Sequence, residues 1–120
     1  MVIDDASLVR LYYRKALEPA GFQVEEALNG IEALEKLMRS PADLLIVDVN
    51  MPQMDGFTFL QALRRQEISL ASTPALMIST ESGPQDFAAA RAAGANFYMV
   101  KPVDRDELVE CVSMLCGVAA

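Results

Sequence analysis

The fold of this chain is decided by residues 44–56, which read LLIVDVNMPQMDG. An apolar run, followed by Asp48 and a loop that contains proline and glycine, predicts a strand buried on both faces. This strand delivers Asp48 to its C-terminal end, and in open parallel sheets that is the edge where ligands bind. The alternative is that Asp48 only ends the strand, and the rest of the chain decides between the two interpretations.

The composition limits the classes of protein to which the chain can belong. Its 120 residues, 52% of them hydrophobic, fit a single domain, 1–120, with a sizeable core. A net charge of −7 leaves no basic stripe, so we expect no direct nucleic-acid binding. We expect a cytoplasmic location without membrane insertion, because neither a signal peptide nor an apolar run of about 18 residues is visible. The lack of histidine leaves the chemistry to carboxylates, hydroxyls and lysine.

Strand and helix patterns alternate along the chain. Short apolar runs predict five strands, which begin near Val2, Phe22, Leu44, Pro74 and Asn96. The second strand, 22–27, is interrupted by glutamates, which suits a sheet edge. Segments between the strands predict five helices, with Ser7 and Asn29 capping the first two and a loop at 67–73. This alternation predicts an α/β domain with a doubly wound parallel sheet and right-handed crossovers.

Polar residues follow four of the five predicted strands. They are Asp4-Asp5, Asp48, Ser79-Thr80 and Lys101. A doubly wound sheet would bring them to one rim, where neighbouring carboxylates raise one another's pKa unless a cation compensates their charge. Ligands that are oxygens only favour magnesium over zinc, and a site of one or two carboxylates plus waters favours it over calcium.

These residues resemble the receiver domain of bacterial two-component response regulators, the CheY-like family. The resemblance spans essentially the whole chain, and it rests on Asp4-Asp5, Asp48, Asn50-Met51-Pro52, Met54-Asp55-Gly56, Ser79 and Lys101-Pro102, each after the matching strand. It implies a flavodoxin-like (βα)5 fold with strand order 2-1-3-4-5. Ser79 stands where threonine is commoner in that family, and the first strand is short.

The resemblance also implies a role for each acidic residue. Asp48 is the phosphoacceptor, which takes a phosphoryl group from the phosphohistidine of a partner histidine kinase or phosphotransfer protein. Asp5, Asp48 and the backbone carbonyl of Asn50 bind Mg²⁺, while Asp4 acts through water. The lack of histidine in this chain fits, because the donor is another protein.

The remaining implied roles belong to a switch. Lys101 pairs with Asp48 or with the phosphate, and its bond to Pro102 is cis. Ser79 is the switch hydroxyl and Tyr98 the switch aromatic, although Tyr98 could equally be an ordinary core residue. Movement of Ser79 toward the phosphate would alter the face formed by the fourth helix, the fifth strand and the fifth helix, which a downstream protein target or an effector domain would sense.

Two functions from other classes stay open. A small phosphohydrolase with an aspartate nucleophile would need a second carboxylate two residues later, where this chain has Asn50. A phosphorylation-independent adaptor would keep the fold without the switch, and the intact set of acids argues against it. We therefore expect a signalling module rather than a turnover enzyme, with self-phosphorylation and slow autodephosphorylation as its only chemistry.

Overall fold

Five parallel strands form the sheet in the computed structural model, which describes residues 1–117. The strands are β1 Val2–Ile3, β2 Glu26–Ala27, β3 Leu45–Asp48, β4 Ala75–Ser79 and β5 Phe97–Val100. Their order is β2-β1-β3-β4-β5, which confirms the predicted doubly wound topology. The last three residues of the predicted domain, 118–120, lie outside the described part.

Helices cover both faces of this sheet. They are α1 Ser7–Leu17, α2 Gly30–Arg39, α3 Gly56–Arg64, α4 Ile68–Ala71, α5 Pro84–Ala93 and α6 Arg105–Leu115. The prediction of five helices was wrong within residues 1–117, since α4 lies in the predicted loop at 67–73; a helix of one turn is too short to show apolar periodicity. In this part of the chain, no helix has both the length and the apolar character needed to cross a lipid bilayer.

The starts of α1 and α2 are fixed in different ways. Asn29 caps α2 as predicted, because its side chain accepts a hydrogen bond from the backbone N–H of Glu32 at 2.9 Å. The prediction that Ser7 caps α1 was wrong, because the cap position belongs to Ala6. The N–H of Ala6 donates instead to the Asp4 carboxylate at 2.9 Å, so an acid from the sheet edge sets the entry into α1.

The side chains of β3 alternate between two apolar layers. Leu45 and Val47 pack in the layer that contains Phe59 of α3, whereas Ile46 packs with Tyr13 of α1 and Leu108 of α6. A strand covered on both faces needs apolar side chains at successive positions, which is the pattern the sequence showed. The two layers hold β3 in place and thereby fix Asp48 at its C-terminal end.

The edge of the sheet is shorter than predicted. The expected strand at 22–27 is reduced to Glu26–Ala27, although its position at the edge is confirmed. Its only neighbour in the described sheet, β1, offers Val2 and Ile3 as ladder partners, so the residues before Glu26 have little strand to pair with. The sheet edge therefore needs support from side chains.

Arg64, at the end of α3, joins three segments at the opposite edge of the sheet. It donates hydrogen bonds of 2.6–2.8 Å to the backbone carbonyls of Ala71, Thr73 and Gly94. Gly94 ends α5 in the left-handed conformation, with φ of 108°. The buried residues of α5 are Ala90 and Ala93, both in its C-terminal half. The C-terminal end of α5 is thus anchored more firmly than its N-terminal end.

Candidate functional site

Three carboxylates meet where the chain reverses its direction of winding. Asp4 directly follows β1 and Asp48 ends β3, and these two strands are neighbours in the sheet. The chain leaves β1 toward β2 on one side and leaves β3 toward β4 on the other, which opens a crevice at the C-terminal edge. One oxygen from each of Asp4, Asp5 and Asp48 lies within 4.8 Å of the other two. The geometry therefore gathers the acids that the sequence singled out.

Asp4 is the most deeply buried of the three acids, with 2% of its surface exposed. Burial raises the pKa of its carboxyl, while the hydrogen bond from Ala6 opposes that rise and the nearby charge of Asp48 adds to it. Within residues 1–117 its Oδ2 atom is buried and has no hydrogen-bond partner; the Lys101 ammonium lies 4.0 Å away. A buried carboxylate oxygen without a donor fits a site completed by a cation or by its water ligands.

Asp48 and Lys101 form the ion pair of the site. The Lys101 Nζ donates to the Asp48 Oδ1 at 2.9 Å, and Asp48 is 5% exposed. Burial raises the pKa of Asp48, whereas the hydrogen bond and charge of Lys101 lower it. The Lys101-Pro102 bond is cis, as the resemblance implied. One ammonium facing three carboxylates leaves the crevice with an excess of negative charge.

A chain of hydrogen bonds leads from Ser79 away from the acids. Ser79, at the end of β4, is 1% exposed, and its Oγ accepts from the N–H of Glu81 at 3.0 Å. The carbonyl of Glu81 accepts from the Tyr98 hydroxyl at 2.8 Å. The Tyr98 ring in turn meets the Phe87 ring of α5 edge to face, with centroids 4.8 Å apart. Ser79, the loop after it, β5 and α5 are thus joined in series.

The remaining predicted residues take less central places. Asn50 is exposed in the loop that follows β3. Tyr98 is half-buried on β5, and the contacts described above are with Glu81 and Phe87 rather than with the acids. Asp5 is exposed to solvent, so the crevice is open on its side. A cation could reach the acids from there.

Sequence reasoning missed two contributors to this region. Arg10, in the first half of α1, donates to the backbone carbonyl of Asp4 at 2.7 Å. A positive charge there opposes the helix dipole, and that unfavourable placement was the signal available in the sequence. The contribution of Glu81 comes from its backbone, which every residue type carries, so no sequence signal exists for it.

Known proteins resemble this chain in sequence and in fold. Residues 1–113 match the response regulator receiver domain family. The chain belongs to that family. The receiver domain is 33% identical to Protein PilG of Pseudomonas aeruginosa over 112 residues, which cover 93% of this chain and 82% of PilG.

Two further relatives differ in length, one about twice as long as this chain and one of nearly equal length. It is 36% identical to the transcriptional regulatory protein PrrA of Mycobacterium leprae over 96% of its own length but only 48% of that protein, so it spans about half of PrrA. The solved structure of the chemotaxis response regulator CheY4 of Vibrio cholerae is 37% identical, covers 95% of this chain and 94% of CheY4, and superposes with a TM-score of 0.89. The CheY-like, flavodoxin-like fold is thereby confirmed.

Proposed function

We propose that this chain is a single receiver domain that acts as a phosphorylation switch, with Asp48 as its phosphoacceptor. The observation that carries the proposal is the Asp48–Lys101 pair, 2.9 Å long, beside two further carboxylates at the C-terminal edge of the sheet. The hydrogen bond and charge of Lys101 favour the ionised form of Asp48, which is the form that can act as a nucleophile. A phosphoryl group is the substrate that such a mixture of carboxylate and ammonium suits.

The acid cluster would hold Mg²⁺ through Asp5, Asp48 and the backbone carbonyl of Asn50. Asp4 would contribute through water, since its Oδ2 has no hydrogen-bond partner within the described chain and can accept from a water ligand of the cation. When bound, Mg²⁺ neutralises phosphoryl oxygens that would otherwise repel the carboxylate. The exposed position of Asp5 leaves the site accessible to the cation and to the donor.

In the transfer step, an oxygen of Asp48 forms a bond to phosphorus while the bond between phosphorus and the donor's histidine nitrogen breaks. The electron pair of the broken bond stays on that nitrogen. Lys101 shifts its hydrogen bond from Asp48 to the new phosphate, where a charge-assisted bond is strong. Because residues 1–120 contain no histidine, the donor histidine lies outside them, on a histidine kinase or a phosphotransfer protein.

The switch would use the hydrogen bonds that start at Ser79. The new phosphate offers acceptor oxygens to the Ser79 hydroxyl, and movement of Ser79 toward them strains its bond with the Glu81 N–H. Since the Glu81 carbonyl holds Tyr98, the ring and the N-terminal end of α5 would move with the loop. Two charge-assisted hydrogen bonds supply the few kcal/mol that such a population shift requires. A downstream protein or an effector domain would sense the altered face of α5, β5 and α6.

Phosphorylation itself is tested with a small-molecule donor. The chain is incubated with MgCl2 and acetyl phosphate, and its intact mass is followed. We expect the parent to gain one phosphoryl group and Asp48→Asn to gain none. An unmodified parent would support the adaptor, whereas continuous release of inorganic phosphate at catalytic rates would support the phosphohydrolase; either result would overturn the proposal.

The route of the switch is tested by NMR with Mg²⁺ and beryllofluoride, a phosphoryl mimic. In the parent we expect amide shifts to reach Tyr98 and Phe87, and in Ser79→Ala to stay at the acid cluster. Thr80→Ala is the matched control, because Thr80 is the adjacent hydroxyl residue but is exposed. Shifts that reach Phe87 equally in Ser79→Ala would exclude Ser79 as the switch hydroxyl.

A further inference from the structure

We propose that Arg10 is a positioning residue for the magnesium site, an inference that rests on the proposed function. Its Nη1 donates to the backbone carbonyl of Asp4 at 2.7 Å. This carbonyl belongs to the peptide unit that joins Asp4 to Asp5, so the bond fixes the plane from which the Asp5 side chain departs. Asp5 is the exposed ligand of the proposed site, and it therefore depends most on its backbone for orientation.

Arg10 is itself held in place from the sheet edge. Its Nε donates to the Glu26 carboxylate at 2.7 Å, and its side chain is 11% exposed. Glu26 also pairs with Arg14 at 2.8 Å, and its backbone carbonyl accepts from Lys36 at 2.6 Å. Hydrogen bonds from Arg10 and Arg14 lower the pKa of Glu26, so the carboxylate stays charged at neutral pH.

The short strands explain why such a residue is needed here. The ladder between β1 and β2 has two residue pairs, and after it the Asp4 N–H still donates to the Ala27 carbonyl at 3.1 Å. The chain then leaves the sheet. At this point Arg10 binds both the end of β1, through the Asp4 carbonyl, and β2, through the Glu26 carboxylate. It thereby holds one further peptide unit in place, the one that leads to Asp5.

The charge of Arg10 and its positioning role predict opposite changes in Mg²⁺ affinity when Arg10 is removed. If Arg10 acted only through its positive charge near the acids, its removal would strengthen Mg²⁺ binding. If it positions the Asp4–Asp5 peptide, its removal weakens binding, because groups that orient metal ligands typically contribute about 10-fold or more in affinity. The sign of the change therefore separates the two roles.

The test is a titration of the full chain with MgCl2, followed through the amide shifts of the acid cluster. Arg10→Met removes the hydrogen bonds and keeps an apolar stem, and we expect Mg²⁺ affinity to fall roughly tenfold. Arg14→Met is the matched control, since Arg14 carries the same charge and binds the same Glu26 carboxylate but otherwise pairs with Glu18. We expect the affinity of Arg14→Met to stay within twofold of the parent.

Arg10→Lys keeps the charge but lacks the fork needed to reach Glu26 and the Asp4 carbonyl together. We expect Arg10→Lys to weaken Mg²⁺ binding as well. If Arg10→Met does not fold, Arg10→Lys alone tests whether Arg10 positions the Asp4–Asp5 peptide. Equal affinity in the parent and in the folded Arg10 variants, or tighter binding after Arg10→Met, would overturn the positioning role alone. A parent that does not bind Mg²⁺ would overturn the proposed metal site and this inference with it.

Discussion

Gln53 adopts a backbone conformation that its side chain disfavours. Among the non-glycine residues of the described chain, only Gln53 has a positive φ, 68°. The left-handed region costs an L-residue about 1–2 kcal/mol, and a glycine relieves that strain but makes the unfolded chain more flexible. We predict that Gln53→Gly raises the free energy of unfolding by roughly 0.5–1 kcal/mol, measured with urea.

Gln23→Gly provides the control for this substitution. Gln23 is also exposed and lies in a loop, but its φ is not in the left-handed region, so only the entropic cost of glycine remains and stability should fall. A loss of stability in both variants would show that the loop around Gln53 is not strained.

Asp4 should weaken the fold at neutral pH. Its raised pKa means that the folded state binds a proton more tightly than the unfolded state, so stability decreases as pH rises through the window between the ordinary and the raised pKa. We predict that Asp4→Asn stabilises the fold at pH 7 by about 1–3 kcal/mol, because it removes a buried charge beside Asp48 while an amide oxygen can still accept from the Ala6 N–H. The gain should disappear below the ordinary carboxyl range.

Thermal or urea unfolding between pH 3 and pH 8 measures this dependence. Asp43→Asn serves as the control, because Asp43 is exposed and lies outside the acid cluster, and it should show no comparable gain. A constant difference between Asp4→Asn and the parent at all pH values would contradict the assigned charge penalty.

At the scale of single residues, the sequence predicts the features that follow from the type of a residue and its place after a strand. Asp48 and Lys101 could be placed, since each follows a predicted strand and parallel strands end at a common edge. The hydroxyl of Ser7 predicts a cap, and this prediction was wrong, because the cap position belongs to Ala6, whose N–H donates to the Asp4 carboxylate. That hydrogen bond arises only after the sheet has brought Asp4 to the start of α1.

At the scale of elements, the edge strand depends on its ion pairs. Glu26 accepts hydrogen bonds from Arg10 and Arg14, which join β2 to α1. We predict that Glu26→Gln lowers the free energy of unfolding by about 1 kcal/mol, since its partners are only partly shielded from solvent. The lowered pKa of Glu26 means that this contribution is present above the ordinary pKa of glutamate and is lost as pH falls through the depressed value.

Urea unfolding at pH 7 and in high salt measures this effect. The adjacent Glu25→Gln is the control, because Glu25 is exposed on the same edge. Equal stability of the two variants would show that the pairs around Glu26 do not hold β2.

Element prediction succeeded where local chemistry is strong and failed where tertiary partners decide. Asn29 marked the start of α2, because an asparagine cap acts within one turn. The strand predicted at 22–27 is shorter in the structure, because the ladder of an edge strand is limited by the length of its neighbour and β1 has two residues. Helix α4 was not predicted because four residues are too few to show an apolar periodicity.

At the scale of the whole molecule, binding of a cation at the sheet edge should stabilise the entire fold. If Mg²⁺ binds the folded chain only, a concentration 100-fold above Kd adds about 2.7 kcal/mol to the free energy of unfolding. We predict that the melting temperature rises with MgCl2 in the parent and changes much less in Asp5→Asn. Sodium chloride at equal ionic strength is the control, and an equal response to both salts would contradict a specific site.

The anchoring of α5 by Arg64 has a consequence for how fast its backbone amides exchange with solvent deuterium. The end at Gly94 is bonded to Arg64 and buries Ala90 and Ala93, so its opening requires larger unfolding than fraying of the end at Pro84. We expect exchange to be slower at Ala93 than at Phe87, and Arg64→Met to reduce this difference. Uniform protection along α5 would mean that the helix opens as one unit.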